Sequence, residues 1–483
     1  MSETGHVNED ELTSLDATAQ AGLVRRGEIQ ARELVEAAIR RIERLNPTLN
    51  AVVTPMFEDA LQRSAGTLPD GPFTGVPFVL KDITAQYSGV RYTEGASFVA
   101  DYVSSQDQEL VRRHKLAGLV VVGKTNVPEF GILPTTEPRL FGATRNPWSL
   151  DHTPGGSSGG TAAAVASGMV PMGHGNDGGG SIRIPASCCG LFGLKPTRAR
   201  NPLGPGLGET PAGLGCEHGL TRSVRDSAAL LDATEGPDTG DPYWAPPKTR
   251  PYAKEVGADP GRLRIALSTA AVTEVPVDPE CVRAAEATAR LCEELGHEVF
   301  EFSPGDLDGA LISEAFITVY ACSVAVAIAY WSRVLGKTPT AADFEPLTWA
   351  MSELAGGRTP ADYLLAVGYL QSVSRQIARH FAGFDLLLTP VLTEPPLPLG
   401  TFDAPEDQPL YPLMRAGAWV PFTPLANITG QPAMSVPLNW SEDGLPIGSH
   451  FVGRFGDEAT LFRLAAQLEQ ARPWADRRPP VSA

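Results

Sequence analysis

Two glycine–serine stretches lie close together in this 483-residue chain: PGGSSGG at 154–160 and GNDGGGSIRIP at 175–185. A serine hydroxyl attacks carbonyls or phosphoryl groups only when a neighbouring base takes its proton. Each glycine is costly to order, and four of the six residues before Ser181 are glycine. Acyl transfer gives a reason for that cost, because its tetrahedral oxyanion is bound by backbone N–H groups preorganised in a turn. Two serine-bearing glycine turns flanking the small-residue helix TAAAVASG also fit poorly with glycines that serve only as bends.

The first stretch, taken alone, reads Gly-x-Ser-x-Gly over Gly155, Ser157 and Gly159, the nucleophile-elbow pattern of α/β-hydrolases. That chemistry would enlist a later acid and one of His297, His380 or His450. Gly173, Gly175 and Gly178 match a dinucleotide fingerprint, but that motif opens a helix, and Pro185 is expected to stop one. Neither stretch ends in the Gly-Lys-Ser/Thr of a phosphate-binding loop.

The elements that must position these serines follow from periodicity. EIQARELVEAAIRRIERLN carries Leu34, Ala38, Ile42 and Leu45 at helical spacing. FTGVPFVLKD reads as a strand over Val76–Leu80 with Lys81 at its end, and LVVVGKTN as a buried strand over Leu119–Val122 after a capped helix. RLRIALS, PECVRAAEATARLCEELG and HEVFEF form a strand–helix–strand unit with Val282, Ala285, Ala289, Cys292 and Leu295 as the buried stripe and Gly296 as the C-cap. FDLLLTPV is one more buried strand. Helices alternating with apolar strands predict an α/β protein with a mostly parallel or mixed sheet. The Pro/Gly-rich stretches 235–252 and 389–412 read as long surface loops rather than tethers.

Composition narrows the function. The chain is 42% apolar and 20% charged, which is globular. A net charge of −17 opposes binding to a phosphate backbone. No run of 18 uninterrupted apolar residues predicts a membrane span, and the acidic start MSETGHVNEDELTSLD is unlike a secretory signal. The six cysteines show no metal-ligand spacing and read as reduced core residues. A cytoplasmic protein acting on small molecules is expected, without metal or cofactor.

GGSSGGTAAAVASGMVPMGHGNDGGGSIRIPA, residues 155–186, closely resembles the defining pattern of the amidase signature family. GVPFVLKD, GKTNVPEFG, RNPW, CGLFGLKPT, LTRSVRD, TPLANITGQPAMSVPL and GSHFVGRFGDEATL follow in family order, so the resemblance spans about residues 10–470. It implies one domain over 1–483, with a signature core at about 75–230 and a variable specificity region at about 300–370. It also implies a large mixed, mostly parallel central sheet covered by helices on both faces.

Carried over by position, the resemblance makes Ser181 the nucleophile, Lys81 the base and Ser157 the bridging serine, held by a cis Gly156–Ser157 peptide. The backbone N–H groups of Gly178, Gly179, Gly180 and Ser181 then form the oxyanion hole, in a turn only glycine tolerates. Family members usually carry a larger residue at Gly178. Asp177 and Arg183 read as pins of the turn. A neutral lysine near pH 7.5 requires its pKa to fall by roughly 3 units, on the order of 4 kcal/mol, which full burial supplies.

Within the family, the glutaminase subunit of the tRNA-dependent amidotransferase usually carries glutamine at Ile184, and the charge of −17 also disfavours a tRNA partner. The run from Gly175 to Arg200 looks closest to bacterial nylon-oligomer, aryl-acylamide and carbamate hydrolases. That likeness makes Cys322 and Gly131 candidate substrate-binding residues. Specificity is expected from 300–370 and the loop 198–215, where Phe316, Tyr320, Trp331, Trp349 and Met351 together suggest a roomy apolar cavity. A neutral amide or carbamate is the expected substrate, and a monomer or homodimer the expected assembly. A relative that has lost catalysis is the non-enzymatic alternative; its usual mark is a missing triad residue, and all three are present.

Overall fold

The computed structural model describes residues 9–483; the first eight residues, on which the reading of the acidic start partly rests, lie outside them. Eleven strands form one sheet: β1 Val52–Pro55, β2 Pro77–Lys81, β3 Val120–Thr125, β4 Met172–Asp177, β5 Phe192–Lys195, β6 Cys216–Thr221, β7 Arg264–Leu267, β8 Glu298–Glu301, β9 Leu386–Pro390, β10 Ala433–Trp440 and β11 Pro446–Val452. Their spatial order is β1-β3-β2-β4-β6-β5-β10-β11-β9-β7-β8.

The sheet is mixed, as expected, but it is not mostly parallel. Four pairings are parallel and six antiparallel. The predicted helix-connected units do give parallel pairs at both edges, β2 with β3 and β7 with β8. The centre is antiparallel because β6, β5, β10 and β11 join through short connections or from distant chain segments, which hydrophobic pattern alone does not order.

Alternation along the strands explains why helices cover both faces. Val79, Val120 and Val122 pack into a cluster with the helices Ala31–Leu49, Gly159–Ala166 and Arg183–Cys189. Their neighbours Phe78, Leu80 and Val121 point the other way, into a cluster with Ala17, Val111 and Leu230 from three further helices. Strands buried on both sides read as continuous apolar runs, and this made β2 and β3 legible.

Pro185 does not prevent a helix. Arg183–Cys189 is helical, because a proline in the first turn removes an N–H that has little or no intrahelical role. In the helix Pro279–Glu294 the buried stripe is Cys281, Ala284, Ala285, Thr288, Ala289 and Cys292; Val282 and Leu295 are half-buried, and Gly296 (φ +93°) lies one residue beyond the cap at Leu295. All six cysteines are free thiols, five of them buried. Against the expectation from apolar run length, the 27-residue helix Gly309–Leu335 is long and apolar enough to cross a membrane. Nine of its residues are buried, and they belong to clusters shared with Leu370, Val373, Leu347 and Met351.

Candidate active site

β2 lies between β3 and β4, parallel to both, and Lys81 is its last residue. β4 ends at Asp177, and the glycines 178–180 then turn the chain into the helix Arg183–Cys189. Ser157 precedes the helix Gly159–Ala166, and the Gly156–Ser157 peptide is cis. The Ser158 N–H donates to Ser181 O at 3.2 Å, tying the two serine loops together.

Lys81 Nζ sits 2.7 Å from Ser157 Oγ and donates to Asn176 Oδ1. The amine is fully buried. Burial pushes its pKa down to about 7, against the pull of the Glu217 and Asp177 carboxylates. An amine in that range is partly neutral at ordinary pH and can accept a proton from a hydroxyl. Ser181 Oγ has no hydrogen-bond partner among the described residues, and Ser181 lines a cavity of about 980 Å³, its open mouth included.

The turn before Ser181 is pinned from behind. Asp177 accepts the Gly180 N–H at 2.8 Å and the Ile182 N–H at 3.2 Å. Its carboxylate pairs with Arg183 through Nε and Nη2 at 2.9 and 2.8 Å, both groups fully buried. Burial alone would raise the Asp177 pKa, but the Arg183 guanidinium outweighs it and holds the carboxyl well below its ordinary range. Arg183 also donates to Thr423 O and Asn427 Oδ1.

This pinning corrects two expectations about the glycines. The Gly180 N–H is already engaged by Asp177, so it is not free for an oxyanion. The N–H groups of Gly178, Gly179 and Ser181 carry no hydrogen bond among the described residues. Only Gly180 is required by the backbone: it adopts φ +136°, and a Cβ there would lie 2.3 Å from Thr423 Oγ1. A Cβ on Gly178 would meet nothing within 4 Å.

The α/β-hydrolase reading fails on geometry, because the partner of Ser157 is Lys81 and no histidine reaches it. His450 lies between Thr389 and Arg183, His297 bonds Leu263 N and Gln467, and His380 meets Asp306.

The cavity wall is partly as expected. Phe316 and Tyr320 line it, their rings stacked with centroids 5.4 Å apart, whereas Trp331 and Met351 are core and Trp349 packs against them. Cys322 does not line it. Ile312, Phe316 and Tyr320 recur every four residues on the cavity face, and Cys322, two residues past Tyr320, falls on another face. Gly131 is set against Ser157 rather than the cavity: a Cβ on it would lie 3.3 Å from Ser157 Oγ, and its carbonyl accepts from Tyr320 Oη at 3.4 Å. Ile132, Leu133 and Pro134, just after it, do line the cavity. The loop 198–215 borders a separate cleft with Asp241 and Tyr243. Residues between 413 and 428, missed in the sequence, close the other side, and no charged side chain lines the cavity.

Sequence reasoning also missed Asn176, Thr84, Glu217 and His174. Asn176 stands inside the motif, where strand alternation from Asp177 was the available signal. The other three are assembled by strand pairing and loop placement, for which the sequence carries no local signal.

A buried lysine brought to a pair of serines on a large mixed α/β sheet places this protein among the amide hydrolases. The family model described as Amidase matches residues 33–462. The chain is 42% identical over 479 residues to the 6-aminohexanoate-cyclic-dimer hydrolase of Paenarthrobacter ureafaciens, covering 96% of each chain. It superposes on a 6-aminohexanoate cyclic dimer hydrolase complexed with substrate with a TM-score of 0.91 at 39% identity, covering 98% of this chain and 100% of that one. A bacterial aryl acylamidase of the amidase signature family follows at a TM-score of 0.87 and 27% identity, covering 95% and 97%. The chain belongs to the amidase signature family. The glutaminase subunit of glutamyl-tRNA amidotransferase is only a distant neighbour.

Proposed function

We propose that the protein hydrolyses a small, neutral, largely apolar amide through an acyl-enzyme on Ser181. The observation that carries this reading is the buried Lys81 amine 2.7 Å from Ser157 Oγ, beside the loop that presents Ser181 to the cavity. Ser181 Oγ attacks the carbonyl carbon; its proton passes to Ser157, and the Ser157 proton passes to Lys81. The oxyanion takes the N–H groups of Gly178, Gly179 and Ser181, which are otherwise unbonded. Collapse of the intermediate expels the amine, which takes back the proton through the same two side chains. Water then cleaves the ester by the reverse route.

The wall of the cavity supports the substrate class. A carboxylate or ammonium group would leave water for a wall with no opposite charge, at a cost of several kcal/mol. Two relatives are named for neutral substrates: a cyclic diamide has no free ends, and an aryl amide bears no obligatory charge. We place the enzyme in the cytoplasm, working as a single domain without a nucleic-acid partner. Six unpaired thiols and the charge of −17 support this.

Labelling with a fluorophosphonate, followed by peptide mass spectrometry, tests the assignment. The label is expected on Ser181, absent in Ser181→Ala and slowed in Ser157→Ala. Lys81→Arg should be as inactive as Lys81→Ala, since guanidinium does not deprotonate. A label on Ser157 or an active arginine variant overturns the roles. A kcat/KM that favours charged linear amino-acid oligomers over neutral anilides overturns the substrate class.

A further inference from the structure

Behind Lys81, away from the substrate cavity, the sheet buries a carboxylate that the proposed chemistry does not use. Glu217 on β6 is 2% exposed, and His174 on β4 is fully buried. The β4–β6 register sets Asn176 directly across from Glu217 and His174 across from Gly219. The bare Gly219 position leaves space for the His174 ring to lean diagonally, and its Nε2 lies 2.7 Å from Glu217 Oε2. The same oxygen accepts from Thr84 Oγ1 at 3.0 Å. Thr84 Oγ1 in turn accepts from Asn176 Nδ2 at 3.1 Å, and Asn176 Oδ1 accepts from Lys81 Nζ. An unbroken hydrogen-bonded chain therefore runs from His174 through Glu217, Thr84 and Asn176 to the amine.

A buried carboxylate is costly, and apolar residues would pack this sheet face at less cost. We propose that Glu217, fixed by His174, is a positioning residue for Lys81: its charge sets the basicity of the amine, and the Thr84–Asn176 bridge aims the amine at Ser157. The inference rests on the reading of Lys81 as the base. The bridge fixes orientation because the Asn176 amide offers its oxygen to Lys81 only while its nitrogen is held by Thr84. The charge acts because an anion favours the protonated amine, opposing burial.

The other ionisable groups around this chain leave Glu217 as the adjustable one. Asp177, on β4, also favours the charged amine but is neutralised by Arg183. Asp82, next to Lys81 on the chain, is paired with Lys124 of β3. His218, flanking Glu217 on β6, is pushed by burial down to about 3, and His114, packed against His174, also lies well below its ordinary range. Both are uncharged at working pH.

The test follows the pH dependence of kcat/KM on a neutral anilide, and of Ser181 labelling by a fluorophosphonate, in four variants. Glu217→Gln is expected to shift the rising limb to lower pH by about half a unit or more and to lower the plateau, because a less basic amine ionises earlier and takes protons more weakly. Glu217→Asp should keep the wild-type midpoint. Thr84→Val retains the charge but cuts the bridge, so the midpoint stays and the plateau falls about tenfold. A folded Glu217→Gln with the wild-type midpoint overturns the proposal. Should that variant not fold, Thr84→Val with a wild-type plateau overturns it instead. Lys81→Ala separates this inference from the one beneath it. If Lys81→Ala is inactive while Glu217→Gln leaves the midpoint in place, only the coupling fails; if Lys81→Ala keeps the wild-type ionisation, the base assignment fails, and the coupling with it.

Discussion

Lys81 is the residue on which most depends, and its burial has a consequence for stability that needs no substrate. The unfolded amine holds its proton up to about pH 10.5, whereas the folded one releases it above about 7. Between these values the unfolded chain binds more protons, so stability rises with pH across that window. Lys81→Met removes the titration. The stability advantage of the methionine variant over wild type should shrink from pH 7 to 10.5, by on the order of 4 kcal/mol, in denaturant titrations. A difference that does not change with pH would mean that the folded amine stays charged. The glycines offer a second contrast. Gly180→Ala forces a Cβ against Thr423 in a positive-φ conformation and should cost about 1–3 kcal/mol with near-complete loss of activity. Gly178→Ala enters open space and should leave Tm unchanged and kcat within about twofold. A damaging Gly178→Ala would show that the position faces the reacting groups.

At the scale of elements, the helix Gly309–Leu335 decides specificity through one face only. Phe316 and Tyr320 face the cavity, and Cys322 is half-buried elsewhere. Phe316→Ala should widen the cavity and shift the kcat/KM ratio of bulky to small acyl groups by about threefold or more toward the bulky ones. Cys322→Leu should leave that ranking unchanged and alter stability by no more than about 0.5 kcal/mol. A reordered ranking in Cys322→Leu would return this residue to the wall. The strand ends act in the same directional way. β2 and β4 run parallel and stop beside each other, so Lys81 and the Ser181 turn meet at one edge of the sheet.

For the whole molecule, the decisive connection is the antiparallel pairing of β5 with β10, Gly193 opposite Ser435 and Lys195 opposite Ala433. It fuses strands from the first half of the chain to strands from the last third. At the chain end, the Ala483 N–H donates to Ser167 O. With the core continuous along this sheet, calorimetry should record one cooperative transition, with equal calorimetric and van't Hoff enthalpies. Two resolved transitions would divide the chain into units and move the boundary to one of the Pro/Gly-rich stretches.

The sequence by itself determined the local chemistry. The glycine-rich turn with its serine, the lysine at the end of an apolar run and the small-residue helix between the serine loops are short-range patterns, and backbone propensity and spacing carry them. The buried strands were legible for the same reason, since apolar runs such as PFVL and VVV have little choice but the interior. Tertiary structure alone decided which faces meet. It made the centre of the sheet antiparallel, turned Cys322 away and Phe316 inward, gave the Gly180 N–H to Asp177, and set Glu217 opposite Asn176 behind the lysine. These outcomes depend on strand order and register between segments tens to hundreds of residues apart. Pairings of that range arise when the whole core closes, and no stretch of sequence encodes them locally.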